Sequence, residues 1–219
     1  MPIEVTAPTP RPMLVVVLAD TSGSMAVDGK ITVLNDAVSR MVDAFSQLQV
    51  PGCELIISAI SFGGTAALHL PPTGVGDVQW APLTAGGVTP MGAAFGLAKQ
   101  LLEDSSIVPE RSHRPNLVLV SDGIPTDQWE QPLKDLDATE QARRALRFAV
   151  GIGADARQDV LKRFAGDEGE VVPVEAVEML TEFFRYVTYA VTTAAQRPVR
   201  TQADLPTFVD YPSSEDLEF

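Results

Sequence analysis

The most strongly patterned stretch of the chain is Met13-Leu-Val-Val-Val-Leu-Ala19, an unbroken apolar run that ends at Asp20. A short, valine-rich run without alternation predicts a central parallel strand covered on both faces. Ile31, Leu34, Ala37, Val38, Met41, Val42, Phe45 and Leu48 then recur at helical spacing until Pro51-Gly52 stop them. Glu54–Phe62 predicts a second strand closed by Gly63-Gly64, with Ala66–Leu70 and Asp77–Trp80 as shorter pieces at a sheet edge. Thr84-Ala-Gly-Gly-Val-Thr-Pro-Met-Gly92 is a glycine-rich loop feeding a helix through Leu102, and Asn116–Val120 is a further buried strand ending at Ser121-Asp122-Gly123.

Beyond it, a helix is expected around Ala138–Arg144, a strand at Leu146–Val150 closed by Gly151-Ile152-Gly153, and a helix near Arg157–Phe164. A strand at Val171–Val174 and a helix from Ala176 to about Ala195 complete the unit. Strands and helices alternate throughout. The expected fold class is therefore α/β: a doubly wound, mostly parallel central sheet with helices on both faces and one short antiparallel edge strand. Residues 1–12, with four prolines, form an extended arm, 13–196 the domain, and 197–219 an acidic tail. No internal repeat of fixed period is present.

The net charge of −13 argues against nucleic acid and against an anionic membrane surface as partners. Cys53 is the one cysteine, which leaves neither an intramolecular disulfide nor a thiolate zinc cluster; a small buried thiol is expected. The first residues lack the basic-then-apolar order of a signal peptide, and no apolar run approaches the roughly 18 residues of a membrane span. A cytoplasmic protein is expected.

In a doubly wound sheet, sites form beyond the carboxyl ends of the strands. Two apolar strands here end at an aspartate, Asp20 and Asp122. Asp20 opens Asp-Thr-Ser-Gly-Ser, which turns Ser22 and Ser24 toward one point, and Thr89 lies in the glycine-rich loop at the same end. Helix capping explains one such residue, not the whole set. Two carboxylates and three hydroxyls suit a hard, small cation, Mg²⁺ with Mn²⁺ as a substitute, and leave it a position for an incoming carboxylate. Thr89-Pro90-Met91 and the Gly123–Trp129 loop would flank that position.

These residues resemble a known pattern. Asp20-Thr-Ser-Gly-Ser-Met25, Thr89 and Ser121-Asp122-Gly123 are similar to the metal-ion-dependent adhesion site of von Willebrand factor A domains. Val33-Leu34-Asn35, Gly87-Val-Thr-Pro-Met-Gly92, Asp122-Gly-Ile-Pro-Thr-Asp-Gln-Trp129 and Phe183-Phe184-Arg-Tyr-Val187 resemble the TerY-like branch, associated with tellurite-resistance-type stress gene clusters. The resemblance covers about residues 13–196. It implies a cytoplasmic, non-enzymatic binding module that grips an Asp or Glu of a partner protein through the metal. It also implies work beside a serine/threonine kinase-like protein and a metal-dependent protein phosphatase. A cysteine-rich metal module follows the domain in some relatives; the acidic tail stands there instead. Asp216 of that tail is a candidate ligand for a neighbouring copy's metal, which would make the chain self-associate.

Other chemistry is weaker. Gly151-Ile-Gly153 lacks the last glycine of a dinucleotide fingerprint, and no Gly-Lys-Ser/Thr loop exists. His69 and His113 lack an evident catalytic partner, and Arg143, Arg144 and Arg147 read as a solvated face. A phosphate-accepting receiver domain would carry acids, not hydroxyls, after the first strand. Two other classes remain: a metal-assisted phosphohydrolase, for which Asp127 is the candidate base and no basic residue belongs to the motif loops, and an extracellular adhesin.

Overall fold

The computed structural model describes residues 9–153, 156–177 and 179–211. Six strands form one sheet in the order β3-β2-β1-β4-β5-β6. They are β1 (Arg11–Asp20), β2 (Cys53–Gly63), β3 (Thr65–Gly74), β4 (Asn116–Ser121), β5 (Leu146–Ile152) and β6 (Glu170–Val174). All neighbours run parallel except β2 and β3, so the expected fold is the one observed. The antiparallel edge strand is longer than expected, and its register shifts twice, between Ile57 and Ala59 and between Ala59 and Ile60.

The apolar run of β1 is explained by its place in the middle of the sheet. Met13, Val15, Val17 and Ala19 face one core, while Leu14, Val16 and Leu18 face the other. Helices α1 (Lys30–Gln47) and α6 (Met179–Gln196) cover the first face. The second is covered by α2 (Met91–Glu103), α3 (Glu130–Asp137), α4 (Glu140–Arg143) and α5 (Gln158–Ala165). Each fully buried Val or Leu contributes about 1.5–3 kcal/mol of transfer free energy, so a strand without polar positions is stable only between two such layers.

Two expectations need correction. The helix expected around Ala138–Arg144 is the short α4, which starts where the Thr139 hydroxyl accepts the Ala142 N–H at 3.1 Å, and α3 ahead of it has no counterpart among the expected elements. Pro132 is tolerated in α3 because it lies in the first turn. Asp77–Trp80 is not a strand. Val75–Asp77 make a 3₁₀ turn, and Trp80 leaves the sheet edge to donate its indole N–H to Asn35 Oδ1 of α1 at 3.3 Å. Residues 197–211 of the acidic tail dock along the domain. Gln202 and Leu205 are buried, and Phe208 and Tyr211 stack near Tyr186 of α6. Residues 1–8 of the extended arm and 212–219 of the acidic tail, Asp216 included, lie outside the described residues. Arg11 and Pro12 of the arm belong to β1 and pair with Cys53 and Glu54.

The order 3-2-1-4-5-6 means that the chain fills the sheet outward from β1 in one direction and then from β4 in the other. The crevice where the winding reverses lies between the carboxyl ends of β1 and β4. Asp20 ends β1, and Asp122 follows β4. Among the described residues, no helix is long and apolar enough to cross a membrane.

Candidate metal centre

Asp20 is held in place by two short contacts. Its Oδ1 accepts the Ser22 backbone N–H at 2.8 Å, and its Oδ2 accepts the Ser121 hydroxyl at 2.6 Å. Burial raises the Asp20 carboxyl above the ordinary carboxylate range. The hydrogen bonds of Ser121 and Ser22 oppose that rise, and the charge of Asp122 adds to it. A buried carboxylate in this state is short of positive charge.

Asp122, buried like Asp20, has both oxygens engaged. Oδ1 accepts the Ser24 hydroxyl at 2.7 Å, and Oδ2 accepts the Lys30 ammonium at 2.7 Å. Ser22 Oγ and Ser24 Oγ stand 3.0 Å apart. Gly123 shows where Thr89 joins them. A Cβ built on that glycine would lie 3.5 Å from Thr89 Oγ1 and 3.8 Å from both Asp20 Oδ2 and Ser24 Oγ. Asp20, Ser22, Ser24, Thr89 and Asp122 therefore meet around one small space, from three separate loops.

Backbone contacts fix those loops. Gly23 N–H donates to Gly87 O at 3.0 Å, Gly86 N–H to Thr21 O at 2.7 Å, and Gly64 N–H to Val88 O at 2.8 Å. Gly87 has φ 79°, and a Cβ there would lie 2.6 Å from Gly64 Cα, so this crossing requires glycine. Thr126 clamps Thr89 from below: its hydroxyl accepts the Thr89 N–H, and its own N–H donates to Thr89 O at 2.9 Å. Asn35 ties the far end of the loop to α1 by taking both the N–H and the C=O of Leu83.

Sequence reasoning missed four residues of this site. Ser121 precedes Asp122 directly, so its place at the strand end was the available signal. Thr126 and Asn35 carried no local reason for their roles. Lys30 offered no signal, being ten positions beyond Asp20; no basic residue belongs to the motif loops, and this one reaches Asp122 from the start of α1. The candidate base fares differently. Asp127 Oδ1 and Oδ2 accept the N–H groups of Gly92 and Ala93, each at 2.9 Å, and so cap α2. Met91, expected to flank the metal, is buried in the core, and Trp129 packs half-buried beside it. The exposed apolar residues on the site loops are Val27, Val88 and Ile124.

The donors fit a hard divalent cation. All are oxygen, only two are anionic, and among the described residues no group of three or more His, Cys, Asp and Glu offers a softer or more charged alternative.

Residues 15–124 match the von Willebrand factor type A domain family. No curated protein sequence matches the chain. Solved structures of this fold are similar at low identity. A von Willebrand factor type A protein from Catenulispora acidiphila aligns with TM-score 0.65 and 18% identity over 83% of this chain and 43% of its own. Proximal thread matrix protein 1 from the mussel byssus, whose metal-ion-dependent adhesion motif is occupied by zinc, aligns with TM-score 0.61 and 16% identity over 82% of this chain and 48% of its own. The manganese-loaded TRAP protein of Plasmodium vivax gives TM-score 0.53 and 18% identity over 80% of this chain and 74% of its own. The chain spans less than half the length of the first two.

Proposed function

For a chain that belongs to the von Willebrand factor type A family, we propose a metal-dependent protein-binding module that grips an acidic side chain of its partner. The observation that carries this reading is the meeting of Asp20, Ser22, Ser24, Thr89 and Asp122 around Gly123 at the winding switch of the sheet. Mg²⁺, with Mn²⁺ as a substitute, would supply a Lewis acid that accepts one carboxylate oxygen. Asp20 and Asp122 would supply the charge that holds the ion, and the three hydroxyls would complete its protein side without quenching its electrophilicity. Val27, Val88 and Ile124, exposed by 54%, 53% and 55%, stand one on each of the three site loops and would supply apolar contacts to a partner. Directional charge at the centre with apolar contacts around it is how a small interface gains both specificity and affinity.

The module is proposed to be non-enzymatic, because Asp127, the candidate base, spends both oxygens on capping α2. The TerY-like segments support a place in the cytoplasm beside a serine/threonine kinase-like protein and a metal-dependent protein phosphatase. The test is capture of partners on immobilised protein in Mg²⁺ and in EDTA, for wild type and Asp20→Ala. Partners held only by wild type and only with metal are expected. Retention that is unchanged in EDTA would refute the metal grip.

A further inference from the structure

Lys30 opens α1, and two successive left-handed residues, Asp28 at φ 54° and Gly29 at φ 71°, turn the chain just before it. A non-glycine residue in that conformation is uncommon and is kept only where the surroundings demand it. The turn places the Lys30 ammonium 2.7 Å from Asp122 Oδ2, with 16% of the lysine side chain exposed and none of the aspartate's. Asp122 Oδ1 is meanwhile taken by Ser24. One of the two carboxylates of the centre thus already has a cation, supplied by the chain itself.

The proposal rests on the metal-site reading above. We propose that Lys30 is a tethered counter-ion that competes with the divalent metal for Asp122 and so couples metal binding to the arrival of a partner's carboxylate. The charges explain the coupling. Without metal, the ammonium offsets one of the two buried carboxylates. With metal, a dication and an ammonium face two carboxylates, and the centre carries one surplus positive charge. An incoming carboxylate removes that surplus. Binding of the bare ion is therefore weak, and binding of ion and acid together is favoured, because each reduces the electrostatic cost of the other. A lysine suits this role: its charge is compact and its stem flexible, so it can leave Oδ2 without moving the backbone of α1.

The experiment is calorimetric titration of Mn²⁺ into wild type, Lys30→Met, Lys30→Arg and Asp20→Ala, in acetate and in chloride at equal ionic strength. Lys30→Met is expected to bind Mn²⁺ at least about tenfold more tightly than wild type, which corresponds to about 1.4 kcal/mol. It is also expected to lose most of the strengthening that acetate gives wild type. Lys30→Arg, which keeps the charge, should stay weak and acetate-dependent. Lys30→Gln serves as the neutral variant should the methionine protein fold poorly. Mn²⁺ binding that disappears in Asp20→Ala but is equally tight in wild type and the neutral variants would overturn the role of Lys30 and leave the metal centre standing. Absence of Mn²⁺ binding in every protein would overturn the centre and this inference with it.

Discussion

Asp127 and Gly92 are joined by a 2.9 Å hydrogen bond that ties the start of α2 to the loop after β4. Gly92 has no room for a side chain, since a Cβ would lie 2.4 Å from Gln128 O. The loop that carries Thr89 and the loop that carries Asp122 are thereby one mechanical unit, with Thr126 bridging them a few residues away. Thr89 and Asp122, from distant parts of the chain, keep their spacing because Thr126 and Asp127 tie the two loops together.

Asp127→Ala should therefore cost stability rather than metal binding. Loss of a charged acceptor at two N–H groups of a helix start is expected to destabilise by about 1–2 kcal/mol. Chemical denaturation measures the loss, and Mn²⁺ titration should show binding retained within a few-fold. A stable variant that had lost a metal-dependent hydrolysis would instead make Asp127 a base.

Divalent metal should stabilise the folded protein, because a ligand bound only by the native state does so by mass action. Mg²⁺ at about 100 times its dissociation constant would add about 2.7 kcal/mol. For a chain of this length that is a rise in melting temperature on the order of 5–10 °C. Differential scanning should show no such increment in Asp20→Ala or Asp122→Ala. An equal increment in both variants would place the ion elsewhere.

Gln202 predicts where the domain ends in stability terms. Its side chain takes the N–H of Arg147 at 2.8 Å and gives its own N–H to Arg147 O at 2.7 Å. It thus continues the ladder of β5 at a position before β6 has begun. Gln202→Ala would leave both backbone groups buried without partners, at about 1–3 kcal/mol. Urea unfolding of this variant should show that loss, and an unchanged midpoint would mean that residues 197–211 contribute little.

His113 predicts a dependence on mild acid. Burial holds its imidazole below the ordinary histidine value, and the charges of Arg11 and Arg144 lower it further against an opposing hydrogen bond to the Gly52 carbonyl. The unfolded chain takes up this proton near pH 6.5 while the folded chain resists it, so stability is lost as pH falls below about 6.5. Denaturant midpoints measured from about pH 7 down to about pH 5.5 should fall in wild type and fall less in His113→Gln. Parallel curves would remove His113 from the acid response.

The sequence by itself determined the sheet and the two anchoring acids. Uninterrupted apolar runs such as Met13–Ala19 have only one stable setting, a strand between two helical layers, and an aspartate at the end of such a run must sit at the crevice edge. Ser22 and Ser24 followed from their spacing to Asp20, and Thr89 from its glycine-rich loop. The tertiary structure alone decided Lys30, the capping role of Asp127, the burial of Met91 and the docking of Gln202. Three of these depend on a polar contact between segments far apart in the chain, Lys30 with Asp122, Asp127 with Gly92 and Gln202 with Arg147, and Met91 on the core under α2. Periodicity and local spacing report which face of an element is buried. They carry no information on which distant polar group that face will meet, because that choice is made by the packing of the whole domain.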